Sequence, residues 1–420
     1  MLFARRLQRV LDLAEELSDH LEPIVELTVK ELHTSFQHCR RELEYTIAWL
    51  RMFKEAKTLL QDRLPLGGPG SRVALKVSDI GNTWNVAMAS IYLTGNGVNV
   101  KVSPRGSGLM KLFESLYRPI FGDDVRFHQG GNSIFMEESL RESEVSAVVM
   151  IGFDEYFLHY EKAFRDYRKK LVFEGRGHDP FIVFPGTELE PAVNDLVIAK
   201  FMHPALVRMA PKRVYIHESL YDEFLALLVE RVGKLKAGDP ADERTDIPPV
   251  VGDLAAERVM GQLNDALAKG ADIVIGGVSD GNLIYPTVVK NAADGMLGMQ
   301  QDVPGPVIFT SSFRTSREVL DRARKHKYGL ACTIFGGREA GGIAEALRGE
   351  KYCHPVRTYN HGRFGMVAYN VNWTSFWHGA SVTKPVGGYG YSGWIWETVK
   401  GKFRIKQGPQ LLSIETSKAS

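Results

Sequence analysis

A thiol beside an imidazole could support nucleophilic chemistry, and such a pair stands at Cys353-His354 within Tyr352-Cys353-His354-Pro355-Val356-Arg357. A neighbouring imidazole lowers a thiol pKa only when the two side chains meet in space. Adjacency in sequence does not bring that about, so the inert reading is preferred. Cys39 sits in a helical pattern and Cys332 in a strand-like run, Tyr328-Gly329-Leu330-Ala331-Cys332-Thr333-Ile334-Phe335; both read as small core residues. Three cysteines so scattered make neither a disulfide framework nor a metal knuckle, and no metal site is expected.

Arg208 is the next residue of chemical interest. It lies in Ala205-Leu206-Val207-Arg208-Met209-Ala210-Pro211-Lys212-Arg213, a loop that runs into the strand-like 213–216. The chain then passes through His217-Glu218-Ser219 into a helix with apolar residues at Leu220, Phe224, Leu225, Leu228 and Val232. A guanidinium in that loop suits a carboxylate. It cannot attack a carbonyl, because it stays protonated and has no lone pair to give.

The elements that must position these residues form three stretches. Residues 1–62 carry apolar residues at helical spacing and read as successive amphipathic helices, with Pro23 at an early helix position. Leu64-Pro65-Leu66-Gly67-Gly68-Pro69-Gly70 then breaks the pattern. Beyond it, 73–77, 98–102, 125–128, 147–151 and 171–174 read as strands, with helices at 87–93, 109–117 and 157–167 between them. That alternation predicts a doubly wound parallel sheet, whose ligands collect at the carboxyl ends of the strands. A second alternation follows, with strands at 181–184, 213–216, 307–310 and 331–335 and helices at 192–201, 220–234, 253–269 and 316–326. The tail from 402 to 416 holds two further strand-like runs, and an exposed strand there needs pairing or covering.

Of the 420 residues, 44% are apolar and 24% charged, an ordinary globular composition with room for a large core and two or three domains. The 52 basic and 50 acidic side chains give a net charge of +2, so no nucleic-acid or polyanion partner is expected. No apolar run approaches bilayer length, and Met1-Leu2-Phe3-Ala4-Arg5-Arg6-Leu7 lacks the hydrophobic core of a signal peptide. A cytoplasmic protein without membrane contact is the expectation.

Motifs spread along almost the whole chain resemble those of aldehyde dehydrogenases, in the same order. Thr83-Trp84-Asn85 is similar to that family's Pro-Trp-Asn, Glu174-Gly175-Arg176-Gly177-His178-Asp179-Pro180 to its Glu-Leu-Gly-Gly-Lys-x-Pro, and Asp302-Val303-Pro304-Gly305-Pro306 to its Glu-x-Phe-Gly-Pro. Tyr328-Gly329-Leu330 and Pro385-Val386-Gly387-Gly388 with Ser392-Gly393 complete the series. The resemblance implies an α/β fold with two doubly wound parallel-sheet domains plus a small bridging sheet. A Rossmann-like cofactor-type domain would take 1–62 and 79–176, a catalytic-type domain 177–401, and bridging strands 63–78 and 402–420. The family's further N-terminal segment is not expected. A homodimer or tetramer, joined through the bridging strands, is expected.

The same resemblance assigns roles. Asn85 stands for the oxyanion-hole amide and Glu174 for the general base, but Arg208 occupies the place of the nucleophilic cysteine. Without that thiol, aldehyde oxidation is expected to be lost, and enzymatic activity is left uncertain. The family's cofactor is NAD or NADP, and Trp84, Lys101, Gly152 and Asp302 correspond to its cofactor-binding positions. In Met150-Ile151-Gly152-Phe153-Asp154-Glu155-Tyr156-Phe157, however, only Gly152 keeps the small residue that lets phosphate approach a helix N-terminus. Pro104 replaces an acidic residue of the adenosine-ribose site. The expected protein is a pseudoenzyme or a repurposed binder of a small carboxylate or aldehyde. Alternatives are an active NAD(P)-dependent oxidoreductase using another residue, such as Cys353, or a structural subunit paired with a catalytic relative. If Arg208 enters a desolvated funnel, it needs a carboxylate partner, Glu174 or a bound organic acid; otherwise it swings out to solvent. The segment 348–363, rich in Tyr, His and Arg, could line a pocket mouth or be an ordinary surface loop.

Overall fold

A computed structural model describes residues 2–55, 57, 63–65, 68–77, 84–102, 105–201, 208–348, 364–373, 387–408 and 415–418. Three helices, Leu2–Asp19, Leu21–Leu32 and Phe36–Met52, open the chain. Their apolar stripes, with Val10, Leu13 and Leu17 on the first, Ile24 and Val25 on the second, and Leu43, Ile47 and Leu50 on the third, are buried in one core. That core also takes in helices Trp84–Leu93 and Ser107–Phe121 and one face of the first sheet.

From edge to edge the first sheet runs Lys402–Gln407, Gly393–Val399, Lys170–Glu174, Val145–Ile151, Arg72–Val77, Gly97–Lys101 and Val125–Phe127. The five strands from Lys170–Glu174 onward are parallel, and the two tail strands are antiparallel. Val73, Leu75, Ala147 and Val149 face the helical core, whereas Ala74 and Val148 face a second cluster with Phe135, Phe164 and Trp396. Burial on both faces explains why these strands are near-continuous apolar runs. Strand order reverses between Arg72–Val77 and Val145–Ile151, which places a crevice at their carboxyl ends.

The second sheet runs Met366–Tyr369, Ala331–Phe335, Asp179–Val183, Pro211–His217, Val307–Phe313, Thr287–Lys290 and Asp272–Ile275, parallel except for the last strand. Ile182 and Tyr215 pack on one face, and Phe181, Val214 and Ile216 on the other.

The structure departs from expectation in four places. Arg72–Val77, expected within a bridging segment 63–78 although 73–77 also reads as a strand of the first alternation, lies inside the first sheet between Val145–Ile151 and Gly97–Lys101, with all six residues buried. Gly393–Val399, expected in the second domain, and Lys402–Gln407, expected in the bridging sheet, both extend the first sheet. Trp394 and Trp396 bury there beside Phe164 and Phe173. Within the expected bridging segments, Arg63–Pro65 and Glu415–Lys418 pair with each other as a separate two-stranded sheet. The helix expected over 157–167 is two short pieces, Asp154–Leu158 and Glu161–Asp166. Among the described residues no helix is long and apolar enough to cross a membrane, and no group of His, Cys, Asp and Glu is arranged to hold a metal ion.

Candidate active site

Gly175-Arg176-Gly177-His178 joins Lys170–Glu174 of the first sheet to Asp179–Val183 of the second, so Glu174 and Arg176 stand at the seam between the sheets. Backbone bonds pin this crossing. Gly152 N donates to Glu174 O (2.9 Å), Gly175 N to Ser392 O (3.0 Å) and Gly177 N to Arg208 O (3.1 Å). Gly175 permits the close approach, since a Cβ there would lie 2.3 Å from Tyr391 O.

Arg208 sits in the turn before Pro211–His217, and its Nη2 lies 3.5 Å from Glu174 Oε2. Arg208 Nη1 also donates to Gly175 O at 3.3 Å. Burial pushes the Glu174 carboxyl up to about 6, although the Arg208 charge and hydrogen bond pull it down. Of the partners open to Arg208 in the sequence, Glu174 is brought within reach, and 23% of the Arg208 side chain still meets solvent. Lys212 holds the turn from the other side, donating to Gly177 O (3.1 Å) and Arg208 O (3.3 Å).

Asn85, one residue into helix Trp84–Leu93, is fully buried, and its Oδ1 accepts from the Tyr117 hydroxyl. That bond uses the carbonyl end of the amide, so whatever Asn85 donates comes from Nδ2. Trp84 is wrapped by aromatic rings. It stacks on Tyr117 with centroids 5.7 Å apart and meets Phe113 and Phe127 at 5.2 and 6.0 Å. Only 3% of Trp84 is exposed, which leaves little of the ring to face a ligand. Lys101, at the carboxyl end of its strand, is buried, and burial lowers its pKa.

Asp302 and the residues after Gly152 are brought together by Arg176, to which the resemblance gives no role. Arg176 Nη1 lies 3.0 Å from Asp302 Oδ2, and Nη2 lies 2.7 Å from Glu155 Oε2 and 3.5 Å from Asp154 Oδ1. Its guanidinium carbon stands 4.2 Å above the Phe153 ring. Asp154 is buried and also accepts from the Tyr328 hydroxyl at 2.8 Å and pairs with Lys327 at 3.3 Å. Asp302 meets Lys212 at 3.6 Å as well. Burial raises the Asp302 carboxyl, yet Lys212 and Arg176 outweigh it and hold the group below its ordinary value.

Ser392, part of the closing signature but given no role from the sequence, is the other member. Its hydroxyl donates to Arg176 O (2.6 Å) and accepts from Gly329 N (3.1 Å), so the two late signature segments meet behind the seam. The available signal for Arg176 is a bulky cation between two glycines; for Ser392 it is the Ser392-Gly393 pair of the closing signature, which by itself gives the hydroxyl no role. His178 stacks on His326 at 4.5 Å, and burial keeps its imidazole neutral by holding its pKa well below the usual value. Cys39 and Cys332 are buried, and burial pushes both thiols up. Cys353, Pro104, residues 205–207, most of 348–363 and the side chain of Phe157 lie outside the described residues.

The model of the aldehyde dehydrogenase family matches residues 1–403. The chain belongs to that family. Its crystallographic relatives include an oxidoreductase from Marinobacter aquaeolei, with a TM-score of 0.82 and 24% identity over 97% of this chain and 86% of that one. Betaine aldehyde dehydrogenase from Staphylococcus aureus in complex with NAD+ superposes with a TM-score of 0.77 and 22% identity, covering 92% and 78% of the two chains. In sequence, the succinate-semialdehyde dehydrogenase [NADP(+)] 2 of Schizosaccharomyces pombe is 34% identical over 171 residues, 40% of this chain and 35% of that protein. The matched stretches span less than half the length of such curated relatives. Both seven-stranded, mostly parallel sheets are thus those of an aldehyde dehydrogenase fold, and the crossing from Glu174 to His178 is the connection between them.

Proposed function

We propose that this aldehyde dehydrogenase family member does not carry out thiol-dependent aldehyde oxidation and instead holds a small carboxylate or aldehyde at the seam. The observation that carries the reading is the pairing of Arg208 with Glu174 at 3.5 Å, Arg208 being the residue that the motif resemblance sets at the family's nucleophile position. Oxidation of an aldehyde on a thiol requires a thiolate to add to the carbonyl, donors for the oxyanion, and a base for deacylation. Asn85 and Glu174 offer the second and third. A guanidinium cannot offer the first.

The residues do not suit a dinucleotide either. Phosphate binding at a helix N-terminus draws on open backbone donors and an aligned helix dipole. The helix after Gly152 is five residues long and begins with two carboxylates, Asp154 and Glu155, both already bound to Arg176. Phe153 overhangs the same point. Neither NAD nor NADP is therefore expected to bind there. A dimer or tetramer in the cytoplasm completes the proposal.

The test is turnover. The wild-type chain, offered aliphatic and aromatic aldehydes with NAD or NADP, is expected to form no reduced nicotinamide; sustained aldehyde-dependent formation by the pure protein overturns the reading.

A further inference from the structure

We propose that Arg176 is the residue that shuts the dinucleotide crevice, its guanidinium standing as a tethered cation between the loop after Val145–Ile151 and Asp302 of the second unit. This rests on the reading above that the crevice takes up no dinucleotide, and it names the side chain responsible.

Two groups compete for that role, and their surroundings separate them. Phe153 is 43% exposed, so its ring sits at a rim from which it can rotate into water. Arg176 is 7% exposed and is held by three carboxylates, Asp302, Glu155 and Asp154, with contacts of 3.0, 2.7 and 3.5 Å. A fork gripped at both ends cannot swing aside without breaking three charge contacts at once, two of them to carboxylates that are mostly buried and that keep only Lys327 and Tyr328 or Lys212. The guanidinium lies over the Phe153 ring, 4.2 Å from its centre.

The charges point the same way. Arg176, Lys212 and Lys327 are each within 4 Å of Asp154, Glu155 or Asp302, so these three cations are already engaged by carboxylates rather than open to a diphosphate. Asp302 corresponds to the acid that the family turns toward a ribose. Here its oxygens are already taken by Arg176 and Lys212. The same bonds cross the seam: Arg176 to Asp302, and Asp154 to Tyr328 and Lys327, close the mouth of the crevice from both sheets.

The experiment is a fluorescence titration of NADH and NADPH against four purified proteins: wild type, Phe153→Ser, Arg176→Gly, and the double variant. Wild type and Phe153→Ser are expected to show no saturable binding, and the double variant to bind at least about tenfold more tightly than Phe153→Ser alone. Tight binding by the wild type, or an equal gain from Phe153→Ser with or without Arg176, overturns the proposal. Should Arg176→Gly lose its cooperative thermal transition, Arg176→Lys is read by hydrogen exchange instead. Its point charge cannot bridge both sides, so the amides of residues 150–156 should exchange about tenfold faster than in the wild type; unchanged exchange overturns the proposal. The non-catalytic reading fails on a different measurement, aldehyde turnover.

Discussion

Arg208 and Glu174 form an ion pair whose partners are unequally buried: Nη2 stands 3.5 Å from Oε2, with the arginine side chain 23% exposed and the glutamate 2%. The inequality decides what each deletion does. Arg208→Ala strands a buried carboxylate, which costs about 3 kcal/mol when the charge is left uncompensated. Glu174→Gln removes a carboxyl that burial already holds above its ordinary value and leaves a cation that reaches water, so at pH 7 it should cost little or stabilise. Urea unfolding at pH 7 should therefore show the larger loss in Arg208→Ala, and equal losses would contradict the asymmetry.

The pH dependence follows from the same carboxyl. Burial sets the folded Glu174 at about 6 against an ordinary 4.5, so the folded chain holds this proton more tightly than the unfolded one. Its contribution to stability is full below about 4.5, is lost as pH rises through about 6, and is flat above, a change of about 2 kcal/mol. Asp179 and Asp195 are raised by burial too, to about 7 and about 6, and titrate in an overlapping range. Subtracting the stability profile of Glu174→Gln from that of the wild type isolates the one group. The difference should fall between pH 4.5 and 6; a level difference rules the assignment out.

Repair of the nucleophile separates acylation from oxidation. Arg208→Cys places a thiol at the seam beside Glu174, and an activated ester brings its own leaving group, so no hydride acceptor is needed. Slow hydrolysis of p-nitrophenyl acetate above the wild-type rate is expected, with aldehyde oxidation still absent. Robust aldehyde oxidation by this single variant would refute the idea that the crevice is closed as well.

Ser392→Ala tests the scaffold behind the seam. The hydroxyl is fully buried and makes two bonds, to Arg176 O and from Gly329 N. Its loss leaves a buried donor and a buried acceptor without partners and should cost about 2 kcal/mol. Thermal melts read this directly, and an unchanged midpoint would show that water replaces the hydroxyl.

Assembly is the remaining expectation. A two-stranded ladder such as Arg63–Pro65 with Glu415–Lys418 is marginal in water by itself. Light scattering is expected to give a dimer or a multiple of one, and truncation after Gly408 to shift it toward monomer. A wild-type monomer at micromolar concentration contradicts this.

Local pattern alone determined much of the protein. Residues such as Val73-Ala74-Leu75 and Ala147-Val148-Val149 are apolar on both faces, and only a strand covered on both sides accepts that, so the alternating strands and helices were legible without coordinates. The chemical incapacity of Arg208 is likewise a property of residue type. Four-residue strands such as Thr287–Lys290 and Met366–Tyr369 were not legible, because so short a run carries no period. The tertiary structure decided which charges meet. Arg176 binds Asp302 from 126 residues away and is braced by Ser392 from 216 residues away, and it stands in a glycine-rich stretch that by itself reads as a turn. Whether the tail bridges subunits or extends the first sheet was equally undecided locally, since an edge strand pairs with whichever edge the docked sheets present to it. Pairing across a seam depends on how two separately folded sheets dock, and no local window of the sequence contains both sides.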